Sequence, residues 1–61
     1  MASITEKELS AISDLLTMEE TVVAKYKAYA QSTADNALKN QYEQLAMRHQ
    51  RHFDELYANL K

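Results

Sequence analysis

Neither glycine nor proline occurs anywhere in the 61 residues, and this double absence narrows the fold more than any other feature. Tight strand hairpins and phosphate-cradling loops depend on those two residues. Ala, Leu, Glu, Lys and Gln, which lose little on entering a helix, are abundant instead. The expected fold class is all-α, broken only where short polar side chains interrupt the helix-forming run. The length allows one domain, close to the lower limit at which a single hydrophobic core offsets conformational entropy. With no cysteine, disulfides and thiolate ligands are excluded. Stability must come from packing, association or a metal held by other ligands.

Thr5-Glu6-Lys7-Glu8 has the form of a capping box, in which the Thr5 hydroxyl and the Glu8 carboxylate satisfy each other's backbone N–H. A helix over about 6–32 follows from it. Ser32-Thr33-Ala34-Asp35-Asn36 gathers residues that favour caps and turns, so a turn at about 33–35 precedes a second helix over about 36–60, with Asp35 as its N-cap. Spacings of three and four residues give each helix an apolar seam. The first runs Leu9, Ile12, Leu16, Glu19, Val23, Tyr26, Ala30, widened by Leu15, Val22 and Tyr29. The second runs Leu38, Tyr42, Leu45, His49, His52, Leu56, widened by Ala46, Phe53 and Leu60. Ser10, Thr17, Glu20 and Lys27 on one helix, and Lys39, Glu43, Arg51 and Asp54 on the other, form solvated outer faces.

A lone antiparallel pair leaves half of each stripe in water, so the hairpin is expected to pair with a second copy as a four-helix bundle, giving a homodimer or higher even oligomer. Nine acidic and seven basic residues are interleaved along the chain, for a net charge of -2. That gives no electrostatic support to a nucleic-acid partner. The start, Met1-Ala2-Ser3-Ile4, lacks the basic and apolar pattern of a leader, and no stretch has the roughly 20 apolar residues of a membrane span. A soluble protein made in the cytoplasm, with no membrane partner, is expected.

The polar members of the two seams are not scattered. Glu19 lies fifteen residues before Ala34 and His49 fifteen after it, so an antiparallel hairpin puts them at one height. His52 follows one turn further along the same face. Tyr26 and Tyr42, each eight residues from Ala34, share another level beside them. Glu19 and His49 are also near the midpoints of their helices, where a two-fold axis would bring in their symmetry copies. Carboxylate and imidazole converging inside a bundle suit iron, manganese or zinc. The candidate metal ligands are therefore Glu19, His49 and His52, with Tyr26 and Tyr42 as supporting neighbours. The plainer alternative is that Glu19 pairs with His49 or Lys25 and only fixes helix register.

Glu19 followed seven residues later by Tyr26 resembles the first helix of ferritin-like di-metal bundles. In that family the second helix supplies Glu-x-x-His, whereas this chain has Ala46-Met47-Arg48-His49. The following Phe53 aligns His49 with the family's histidine, and Ala46 stands where the glutamate would be; the alternative alignment uses His52, with His49 in the glutamate's place. More widely, Leu15-Leu16-Thr17-Met18-Glu19-Glu20, Lys25-Tyr26-Lys27-Ala28-Tyr29-Ala30 and Arg48-His49-Gln50-Arg51-His52-Phe53 resemble the short, single-hairpin spore coat proteins related to the coat F family. The resemblance implies a ferritin-like bundle, a place in a spore coat and other coat proteins as partners. Oxidation of iron in such bundles draws on four carboxylates and two histidines. Two copies of this chain offer two Glu19 carboxylates, so metal binding without fast iron oxidation is expected. No Ser or Cys nucleophile arrangement accompanies the histidines.

Overall fold

In the computed structural model, which describes residues 5–60, the helix boundaries follow from local side-chain chemistry. Thr5 is the N-cap of α1 (Glu6–Ser32). Its hydroxyl accepts from the Glu8 backbone N–H at 3.1 Å, while a Glu8 carboxylate oxygen accepts from the Thr5 hydroxyl at 2.8 Å and from its backbone N–H at 3.4 Å. The capping box therefore forms as expected. Residues 1–4, considered above for a leader pattern, lie outside the described residues.

The turn is built without glycine because no described residue takes a positive φ. Thr33 leaves the helix in an extended conformation, φ −81° and ψ 141°, and its N–H still donates to the Tyr29 carbonyl. Its hydroxyl then accepts from the Asp35 N–H at 3.2 Å. Asp35 in turn caps α2 (Asn36–Ala58), with one carboxylate oxygen accepting from the backbone of Ala37 and Leu38 at 2.8 and 3.1 Å. Two orphan donors at the helix start are thus satisfied by one side chain. The second helix stops at Ala58, two residues short of the expected 60. Asn59 and Leu60 donate to the carbonyls of Leu56 and Tyr57, the tighter i to i−3 pattern that closes a fraying last turn.

The two helices pack side by side in a slab of 48 × 16 × 11 Å. Its radius of gyration is 14.5 Å, against the roughly 10 Å of a compact domain of this length. Val23, Ala30 and Ala46 are the buried apolar side chains of the described region, and none of its large side chains is fully enclosed. Ile12, Leu16, Glu19 and Tyr26 on α1, and Tyr42, Leu45, His49, Phe53 and Leu56 on α2, are half-buried along the same line. The central seams are those expected. Their ends and edges are not covered: Leu9, Leu15, Tyr29 and Leu38 are each more than two-fifths exposed. One line of helix contact shields only a narrow stripe, so side chains at its margin or beyond its ends meet solvent.

Candidate metal centre

The heights counted from the turn translate directly into contacts. The His49 Nδ1 lies 3.1 and 3.3 Å from the two carboxylate oxygens of Glu19, thirty residues away in the chain. The His52 Nδ1 lies 3.3 Å from the nearer of those same oxygens. Glu19 thus engages both imidazoles, and not Lys25, which lines a groove on the outer side of α1 with Thr17, Glu20 and Thr21. A helix turn separates the two histidines, and their rings meet edge to face at 5.4 Å.

Tyr26 holds this arrangement from the turn side. Its ring stacks on His49 at 5.9 Å and on Tyr42 at 6.1 Å, with interplanar angles of 24° and 26°. Tyr29 closes a three-ring cluster, 5.5 Å from Tyr42 and edge to face with Tyr26 at 6.3 Å. The two matched-level tyrosines meet each other, and Tyr26 packs on the face of His49. Burial falls off across the group: the side chains of Glu19 and His49 are 19% and 25% exposed, and that of His52 is 47% exposed. The layer is thus not dry throughout, as a site enclosed in a bundle would be. It opens on the side of His52.

Three ligand-capable atoms, one from each residue, lie within 4.8 Å of one another. Bonds of about 2.1 Å to a divalent ion place neighbouring ligand atoms roughly 3.0–3.4 Å apart, which the two Glu19–imidazole separations already match. The remaining spread must contract when an ion enters. The exposed flank of the group faces a groove of about 350 Å³ lined by Glu19, His52, Glu55, Leu56 and Asn59. Glu55 is a neighbour that the seam pattern does not single out, although the spacing His52-x-x-Glu55 puts the two one turn apart on a helix. Glu20 and Glu43 line other grooves, away from the histidines.

Two imidazoles and one carboxylate with open positions form a donor set suited to a borderline divalent cation. Without an ion the same carboxylate accepts from whichever imidazoles carry Nδ1–H, and no buried side-chain polar atom among the described residues is left unpaired. No helix among the described residues is long and apolar enough to cross a membrane. No family model matches the chain, and no curated protein or solved structure matches it.

Proposed function

We propose that this chain is a subunit of a small ferritin-like bundle that binds a divalent metal, iron, manganese or zinc, through Glu19, His49 and His52. The observation that carries the reading is the convergence of three ligand-capable side chains from two helices on one point, in a chain with few other polar groups on its seams. A cation in contact with all three would offset the cost of withdrawing a carboxylate from water. With one carboxylate per hairpin at the centre, the metal is held rather than used for rapid iron oxidation. The resemblance to short coat proteins supports a place in a spore coat after synthesis in the cytoplasm, with other coat proteins meeting the polar outer faces.

The test is elemental analysis of protein purified without chelator, followed by melting with and without added iron, manganese or zinc. Bound metal and a raised melting temperature are expected. Protein that carries no metal and melts unchanged with all three ions would remove the proposal. A second reading would then stand: the Glu19–His49 and Glu19–His52 contacts satisfy one another, so the layer would serve a metal-free structural protein by fixing helix register.

A further inference from the structure

Steps of seven residues line Leu15, Val22 and Tyr29 along one edge of α1, and Leu38, Leu45 and His52 along one edge of α2. Because the helices are right-handed and antiparallel, these edges fall on the same side of the hairpin. The opposite side carries the polar Lys27, Gln31, Lys39, Glu43 and Gln50, with Ala30, Ala46 and Met47 between them, and Gln41, Gln44 and Arg48 border Leu45 on the first side. Leu15, Tyr29 and Leu38 are 45%, 45% and 42% exposed on the apolar side, and Met18 beside them is 62% exposed. The chain's accessible surface is 5036 Å², whereas a compact monomer of 7.0 kDa exposes roughly 4,000 Å². That excess is of the order of the roughly 800 Å² each partner buries in a standard interface.

We infer that a second copy of this chain docks on the side bearing Leu15, Val22, Tyr29, Leu38, Leu45 and His52, with the turns at opposite ends, and closes the exposed flank of the Glu19–His49–His52 group. Charge selects the orientation. With both turns at one end, Asp14 falls level with Glu55 of the partner subunit, a like-charge approach on both flanks of the two-fold. With the turns at opposite ends and the axis near the level of Glu19, α1 lies along the partner's α1. Asp14 then meets Lys25 of the partner subunit, and Leu15 meets Val22 of the partner subunit, each twice. Arg48 falls level with Arg51 of the partner subunit, also twice, but these long side chains can turn their charged heads to solvent, as the short Asp14 cannot. Both metal groups sit at mid-height beside the axis, and the partner shields the half-exposed His52 from water. The closure rests on the proposed metal site; the docking surface does not.

Because the chain lacks cysteine, single thiols report the interface. The axis passes close to Met18, so Met18→Cys chains bring two thiols within reach of the 4.4–6.8 Å Cα separation of a disulfide. Met47, 66% exposed on the other side, gives Met47→Cys as the control. At micromolar protein with diamide as oxidant, Met18→Cys is expected to give at least about tenfold more covalent dimer than Met47→Cys, since docking raises the local thiol concentration toward millimolar. Equal cross-linking of the two variants, or a Met18→Cys chain that stays monomeric, overturns the inference. Metal content and melting with iron, manganese or zinc, measured on the cysteine-free parent chain, keep the two proposals apart. A parent that binds metal while Met18→Cys fails to cross-link sinks the docking surface alone, whereas a cross-linked Met18→Cys dimer with a parent that holds none of the three ions upholds that surface and sinks the metal site.

Discussion

At the scale of single residues, Glu19 is the group on which the most depends, because one of its carboxylate oxygens faces both His49 and His52. Glu19→Ala and His49→Ala are each expected to abolish metal retention and the metal-dependent rise in melting temperature. Glu20→Ala and Glu43→Ala, whose side chains lie on other grooves, are expected to leave both unchanged; dialysis followed by metal analysis checks all four. Tyr26 acts on the site through His49. Tyr26→Phe keeps the stack and should bind as the parent does, while Tyr26→Ala frees the imidazole and should weaken binding by roughly 10-fold or more, the usual cost of losing a group that orients a ligand. The meeting of Glu19 with His49 is legible in the sequence from equal distances to Ala34. The direct His52 contact and its exposure are not, because helical spacing fixes which face a side chain leaves from but neither its rotamer nor what covers it.

At the scale of the helices, two side-chain caps define where the chain turns, and both are legible because capping has a local residue code. Asp35→Ala removes an acceptor shared by the Ala37 and Leu38 N–H groups and is expected to cost about 1 kcal/mol. The denaturant midpoint reads that loss, and Thr5→Ala should show a similar one. Lys39→Asp, on the exposed outer face, should shift the midpoint little, within about 0.5 kcal/mol. The end of α2 falls two residues earlier than the seam pattern implies. Asn59 and Leu60 carry no cap signal as strong as those at the helix starts, and the apolar Leu60 extends that pattern past the point where the last turn tightens.

At the scale of the whole molecule, the described residues form seams but bury only Val23, Ala30 and Ala46, so folding is expected to be coupled to association. The melting temperature should then rise with protein concentration, and light scattering should report an even oligomer. A helical monomer that survives dilution to low micromolar concentration would contradict this. Leu16→Asp or Leu45→Asp puts an uncompensated charge on the seam, and circular dichroism should show an unfolded chain in either case. The width of the apolar stripes is enough to raise the expectation of self-association, but which side of the hairpin pairs depends on the antiparallel packing that sets the two edges together. The claim on which the functional account turns is that an ion occupies the Glu19–His49–His52 group. Anomalous diffraction from crystals soaked in zinc, recorded on both sides of its absorption edge, tests it most directly: a peak is expected within bonding distance of Glu19, His49 and His52, and a difference map with no peak there would rule the ion out.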